Sequence, residues 1–385
     1  MNIDNFYGSE CRGELVSLLS DLVKIPSHKK VDGRDQQVND YITRWLYENG
    51  FEVEEKTFGG ISLPLGIISG NENNNSIMLN AHTDTVGVEY MENPFSGRYD
   101  DKRIYGRGTV DTKGSLAAMM IAARVFKENF KASTDIFVYP SLHEETGECE
   151  ATEAISKTIK PSYCVVGEPT NLDFYFFHKG LWFFKLISKG LSAHLAVPED
   201  GINAIEHLFT AIGSLKEKYF NPRTKEKDGM TKFTVCSMRG GSEGIPDYAE
   251  ALYNRRTVPG ESLKDDFQNI NMVLEEIGAI DPKFDVSVET YPGYETELMP
   301  MEPPTDEEFV DLISTSLAGI GNRGGLFPGW TEGSIFRKND VDTVIFGPGP
   351  PAYAHTPFES LEINQLVSAS KGYLKILLNH NKRFV

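Results

Sequence analysis

The stretch Ser76-Ile77-Met78-Leu79-Asn80-Ala81-His82-Thr83-Asp84 decides the fold. An apolar run of strand length ends on polar residues able to bind a cation. The pattern recurs in DIFVYPSLHEE (135–145), which ends on Glu144 and Glu145, and in YCVVGEP (163–169), which ends near Glu168. Apolar runs of this length between loops fit strands buried on both faces of a largely parallel sheet. In open α/β sheets, functional groups gather at the carboxyl ends of strands. The three runs therefore predict one site assembled from several strand ends.

Outward from these runs, helical spacing appears at Leu15, Leu18, Leu19, Leu22 and Val23, and again at Val38, Ile42, Trp45 and Leu46, with Gly50 as a stop. GIISG (66–70) reads as a further strand, NENNNS (71–76) as a loop, and SLAAMMIAARVFKEN from Ser115 as a buried helix. Near Gly180 the texture changes. LWFFKLIS, TKFTVCSM, DYAEALYNRRT and KFDVSVETY read as strands, with helices over GINAIEHLFTAIGSLKEKY and SLKDDFQNINMVLEEIG. That order, β-α-β-β-α-β, predicts a ferredoxin-like α+β domain. It is inserted at 180–292, with Gly180 and Gly293 near its crossings, into a domain made of 1–179 and 293–385. VDTVIFGPG is expected as the last strand of the first domain and LEINQLVSASKGYLKILLNH as its closing helix. The fold class is α/β: a mostly parallel mixed sheet flanked by helices, plus the insert.

A chain of 385 residues is too long for one core at roughly 150 residues per domain. With 38 basic and 56 acidic residues and a net charge of −18, it repels phosphate backbones, so nucleic-acid binding is not expected. The start MNIDNFYGSE lacks the basic and apolar regions of a signal peptide. FYFFHKGLWFFKLI is too short and too interrupted to span a membrane. Cys11, Cys149, Cys164 and Cys236 are far apart and form no CxxC pair. A cytoplasmic protein with reduced thiols, and no membrane partner, is expected.

Residues i and i+2 on a strand end share a face. Asp84 could thus hold the second nitrogen of His82 while the first binds metal, although HTD alone reads more simply as a polar turn. Asp111 lies in GRGTVDTKGS. A dinucleotide loop fails there, because Asp111 stands where the third glycine belongs; a bridging carboxylate and a helix cap both remain open. Adjacent Glu144 and Glu145 repel unless a cation is close. One can then bind metal while the other moves a proton, or both can sit in an exposed acidic loop. Glu168 could pair with a cation, and His355 lies in a loop stiffened by Pro348, Pro350, Pro351 and Pro357. Nitrogen and oxygen ligands without cysteine suit a catalytic zinc site better than magnesium.

Taken in order, NAHTDTV, GRGTVDTKGSLAAMM, HEETG, VVGEPTN, KGLSAHLAVPEDGINAI, RRTVPG and AHTPFE resemble the M20 co-catalytic metallopeptidases along nearly the whole chain. The resemblance implies two Zn2+ ions, with Co2+ or Mn2+ as substitutes. His82, Asp111 and Glu168 would hold one ion, and Asp111, Glu145 and His355 the other. Asp84 would orient His82, Glu144 would be the general base, and the peptide after Asp111 would be cis. His194 would polarise the scissile carbonyl, Arg256 would grip a substrate carboxylate, and Gly329, Trp330 and Thr331 would line the pocket. The insert would serve as a lid and as the interface of a homodimer. The implied reaction is cleavage of an N-acyl amino acid with a free carboxylate, of the acetylornithine deacetylase or succinyl-diaminopimelate desuccinylase kind. Dipeptidase or carboxypeptidase action on small peptides is the alternative. Three positions depart from the family: Asn254 for an expected Asp, Gly244 for an expected Asn, and the bulky Trp330.

One rival motif is Gly240-Gly241-Ser242-Glu243-Gly244, which fits GxSxG. A nucleophile elbow needs a helix right after the serine, whereas IPDYAEALYNRR alternates like a strand, so a hairpin loop is expected. A metal chelator should therefore abolish hydrolysis; an enzyme that keeps its rate under chelation would reinstate the serine.

Overall fold

A computed structural model of the chain describes residues 3–58, 60–227, 230–291 and 298–383. α1 (Ser9–Lys24) buries Leu15, Leu18, Leu19, Leu22 and Val23, and α2 (Arg34–Glu48) buries Val38, Ile42 and Leu46. Their apolar stripes follow the helical period. Gly50 closes α2 at φ 71°, a left-handed conformation that glycine adopts without a steric penalty. There follow β1 (Glu52–Phe58), β2 (Ile61–Ile68), β3 (Glu72–His82) and β4 (Arg103–Tyr105), then α3 (Lys113–Asn129), β5 (Thr134–Ser141), α4 (Glu150–Thr158), β6 (Tyr163–Val166) and β7 (Phe174–Tyr175). Next come β8 (Gly180–Lys189), α5 (Ala204–Leu215), α6 (Asn221–Glu226), β9 (Lys232–Gly240), β10 (Tyr248–Thr257), α7 (Leu263–Ile280) and β11 (Asp285–Thr290). The chain ends with α8 (Glu307–Leu317), α9 (Gly333–Lys338), β12 (Asp342–Phe346), β13 (Ser360–Glu362) and α10 (Ile363–Lys382).

The chain divides into two compact units. One runs up to Phe177 and resumes over Met301–Phe327 and from Thr331. The other is His178–Pro300 with Pro328–Trp330. The second crossing expected at 292/293 lies outside the described residues.

In the first unit a seven-stranded sheet has the order β1-β2-β5-β3-β6-β12-β7. The strands β5, β3, β6 and β12 are parallel, and the outer pairings are antiparallel. Parallel pairing is thus confined to the centre, where β6 and β12 are buried throughout. Register makes the carboxyl ends of three strands level: His82 pairs with Ser141, and Asn80 with Val166. α3, buried from Lys113 through Ala123, is apolar nearly all round, as befits a helix enclosed by the core. NENNNS is no loop: β3 already pairs from Glu72, with an irregularity before Ile77. After β12 the chain adds β13, which pairs with β4 in a two-stranded ribbon.

The second unit has four antiparallel strands in the order β11-β8-β10-β9, the ferredoxin-like order for this chain sequence. Trp182, Phe184 and Leu186 on β8 and Ala251 and Tyr253 on β10 meet Leu208 and Leu215 of α5 and Ile270 of α7 in one core. The GxSxG segment lies between the paired strands β9 and β10, so no helix follows Ser242 and the elbow reading is excluded.

Arg255, fully buried on β10, donates from Nε to Asp266 at 2.7 Å and from Nη2 to Glu261 at 3.0 Å. Removing a buried cation leaves its carboxylates uncompensated, a loss of about 3–5 kcal/mol. Arg255→Met should lower the unfolding free energy of this unit by about that amount in urea titrations. A change under about 1 kcal/mol, the range of an exposed pair, would show that the network does not hold the helix α7 on the sheet.

Candidate metal centre

His82 ends β3 and is buried. Its Nδ1 lies 2.9 Å from the carbonyl oxygen of Asp84, whose nearer carboxylate oxygen is 3.5 Å away. The carbonyl therefore accepts the Nδ1 proton and turns Nε2 inward, 3.1 Å from Asp111 Oδ1. The Asp84 carboxylate is used elsewhere: it accepts the backbone N–H groups of Glu144 at 3.2 Å and Glu145 at 3.1 Å. One residue thus sets the His82 ring with its main chain and the Glu144–Glu145 turn with its side chain.

Asp111 stands just before α3, and its peptide bond to Thr112 is cis. Its two oxygens face opposite ways, Oδ1 to His82 and Oδ2 to His355 Nε2 at 3.0 Å. His355 Nε2 also lies 3.2 Å from Glu145 Oε1. Glu144 Oε2 is 3.9 Å from His82 Nε2. His82, Asp111 and Glu145 each offer a ligand atom within 4.8 Å of the others. Glu168, two residues past β6, is buried and makes no hydrogen bond or ion pair among the described residues.

The electrostatics mark the cluster as built for cations. Burial raises the Glu144 and Glu168 carboxyls well above the usual range, and neighbouring carboxylates add to the effect. Glu145 is raised for the same reasons. Burial would also raise Asp111, but its hydrogen bonds to His355 and His82 outweigh that and hold it low. The same bond to Asp111, then that to Glu145, pushes His355 up to about 10. Burial disfavours a charged His82, yet hydrogen bonds to Asp111 and Asp84 leave it raised. Buried carboxylates packed this closely need cations, and the donor set of imidazole nitrogen and carboxylate oxygen fits divalent first-row metals.

The remaining predicted residues belong to other elements. His194 is exposed in the loop after β8, where its Nδ1 accepts the Ala196 N–H at 3.1 Å. The ring proton must then sit on Nε2, which is left as a donor. Arg256 lies on β10, paired with Leu181 and Lys232. Gly329 and Trp330 group with the second unit and Thr331 with the first. The Trp330 ring stands edge-on to His178 with centroids 6.4 Å apart. Gly244 leaves no room for the expected side chain: a Cβ there would come within 2.4 Å of the Ala193 carbonyl oxygen.

A sequence profile of peptidase family M20/M25/M40 matches residues 78–379. The chain belongs to this family. As an M20 protein it is a metal-dependent hydrolase of amide bonds. Acetylornithine deacetylase of Photorhabdus laumondii is 28% identical over 95% of this chain and 96% of its own length. The crystal structure of aminopeptidase PepT from Bacillus cereus superposes with a TM-score of 0.77 at 19% identity, covering 96% of this chain and 98% of that one. A Bacillus subtilis protein described as a dinuclear metal-binding M20 peptidase superposes at 0.72 and 16% identity, over 97% and 99% of the two chains.

The M20 chain also holds supporting residues that reading the sequence missed. Glu359, four residues past His355, accepts the N–H groups of Gly108 and Val110, each at 2.9 Å, and of Asp111 at 3.3 Å. It also forms a buried ion pair with Arg107. It therefore ties the loop of His355 to the turn of Asp111. Glu332, buried, accepts the hydroxyls of Ser141 and Thr152 under the end of β5, and Asp35 accepts from His143 Nε2 at 3.0 Å. Glu359 was within sight, since it closes AHTPFE, but nothing in its spacing tells that its partners lie some 250 positions earlier. Glu359→Gln should weaken metal retention by roughly 10–100-fold, the usual penalty for losing an outer partner of a ligand. Metal content after dialysis checks it, with the melting profile as the control for folding; full retention would limit Glu359 to a structural role.

Proposed function

We propose that this M20 chain is a two-zinc amidohydrolase that cleaves the amide bond of an N-acyl amino acid bearing a free carboxylate. The observation that carries the reading is Asp111, which directs one oxygen to each of two histidines while Glu144 stands 3.9 Å from one of them. Full-length likeness to an acetylornithine deacetylase supports the deacylase form of the reaction. His82, Asp111 and Glu168 would hold one cation, and Asp111, Glu145 and His355 the other. Zinc suits these donors, with Co2+ or Mn2+ as substitutes. When bound, the pair supplies Lewis acidity to the amide carbonyl and acidifies the attacking water.

The chain's own groups do the rest. Glu144 takes the proton of the attacking water on a carboxylate oxygen and returns it to the leaving amine. His194 donates from Nε2 to the developing oxyanion, a contact worth about 3 kcal/mol. Arg256 takes the substrate carboxylate with its planar fork, and Gly329, Trp330 and Thr331 shape the pocket. The substrate is a small molecule, and the protein works as a cytoplasmic homodimer joined through the inserted sheet. Among the described residues no helix is long and apolar enough to cross a membrane. Peptidase action on small peptides is the second reading, supported by the fold shared with an aminopeptidase.

Glu144→Gln should lower kcat by about 10²–10⁴-fold while metal content stays at the wild-type level. Assays of the zinc-loaded protein on N-acetyl, N-succinyl and dipeptide substrates read it. Unchanged turnover in the variant would remove Glu144 from the proton transfer, and cleavage of dipeptides alone would replace the deacylase reading with the peptidase one.

A further inference from the structure

Glu332 touches both ends of the segment that carries Glu144 and Glu145. That segment leaves β5 at Ser141 and enters α4 at Glu150. Glu332 accepts the hydroxyl of Ser141 on one oxygen and that of Thr152, in the first turn of α4, on the other. All three residues are buried. Behind each hydroxyl stands a further polar group. Asn80 Nδ2 donates to Ser141 Oγ at 2.9 Å, and the Tyr139 hydroxyl lies 3.2 Å from Thr152 Oγ1. Two short hydrogen-bonded rows thus converge on one carboxylate. Asp84 grips the middle of the same segment by its N–H groups, whereas Glu332 holds the residue before it and a residue after it.

Stability alone does not call for an acid at this place. A carboxylate taken out of water is costly unless a cation goes with it. Among the described residues no lysine, arginine or histidine lies within ion-pair distance of Glu332. Burial raises its carboxyl, and the hydroxyls of Ser141 and Thr152 only partly offset this. Apolar residues of the same shape would fill the space without that cost. Nor does the carboxylate serve its own helix. Glu332 stands just before α9, where a side chain often caps, yet it makes no cap bond. Its carbonyl accepts the Ile335 N–H at 2.9 Å, and Phe336 packs in the core, so the carboxylate hangs from a fixed base. After α9, Asn339 Nδ2 donates to Ser156 Oγ at 2.9 Å. Thr152 and Ser156 lie one turn apart on α4, so both ends of α9 hold one face of α4.

We propose that Glu332 is a positioning residue of the metal centre: by holding Ser141 and Thr152 it closes the segment between them and so fixes where Glu144 and Glu145 stand. The roles of Glu144 and Glu145 rest on the amidohydrolase reading; the closure of the segment does not. Catalysis is sensitive to such placement, because a shift of about 1 Å costs roughly 100-fold in rate.

Thr152→Val and Thr152→Ser in the zinc-loaded full chain test it, since closure and simple packing predict opposite orders. Valine keeps the volume and loses the hydroxyl; serine keeps the hydroxyl and loses a methyl. Thr152→Val should lower kcat by at least about 10-fold with KM little changed. It should also weaken zinc binding by about 10-fold, read by competition with a chelator, with the melting profile as the control for folding. Thr152→Ser should restore most of both. Glu332→Gln should shift kcat and zinc binding in the same direction as Thr152→Val, and combining the two should cost less than the sum of the single losses, because they break one shared contact. A Thr152→Ser loss as large as that of Thr152→Val, or losses of Glu332→Gln and Thr152→Val that simply add, would overturn the proposal. No hydrolysis of any N-acyl or dipeptide substrate by the wild type, with zinc still held tightly by serine and weakly by valine at 152, would sink the amidohydrolase reading and leave the closure standing.

Discussion

Four carboxylates crowd around the buried His82 imidazole, with His355 closing the cluster from its exposed side, and this crowding imposes the constraint from which the rest follows. Asp111, Glu144, Glu145 and Glu168 cannot all stay ionised there unless positive charge is brought in. Burial and the neighbouring carboxylates raise the pKa of three of the four acids. The arrangement is unfavourable as a fold element and sensible only as a cation site. It persists because the parallel centre of the sheet fixes it: His82 and Ser141 are level in register, and Glu168 follows a strand paired to the same β3. Three strand ends carry His82, the Glu144–Glu145 turn and Glu168 to one edge, and Asp111 joins them from the turn before α3.

Strand ends alone would leave the loop-borne ligands loose, and two carboxylates outside the ligand set address this. Asp84 fastens the Glu144–Glu145 turn by its backbone, and Glu359 fastens the Asp111 turn in the same way. Both act on N–H groups rather than on ligating atoms, so they hold position without competing for the cation. Glu359 also carries a partner of its own, Arg107, which keeps its charge from adding to the crowd. The division is physical: the carboxylates facing the centre meet only imidazole nitrogens or no partner among the described residues, and those behind it accept backbone N–H groups.

The parts legible in the sequence were those written in local pattern. Apolar runs ending on His82, Glu144 and Glu168 announced the sheet and its active edge, and period-two and helical spacing announced the second unit. β1 escaped because EVEEKTF is an exposed edge strand whose charged residues mask its period. NENNNS looked like a loop because its composition is that of a turn, yet pairing with β5 overrides composition. The His82 contact was half legible: i and i+2 pointed to Asp84, but whether carbonyl or carboxylate closes the bond depends on what else the carboxylate reaches. Glu359 closes the motif AHTPFE, but its role is not legible there because its partners lie some 250 positions away in sequence.

Net charge and local charge pull apart in this chain, and the two serve different ligands. At −18 overall, the protein's long-range field draws divalent cations and repels an anionic substrate at distance, an effect that salt screens within roughly 8–10 Å. Recognition of a carboxylate must therefore come from groups close enough to outweigh that background. A sheet does this economically, since directly paired residues on one face hold their charges at a fixed short spacing.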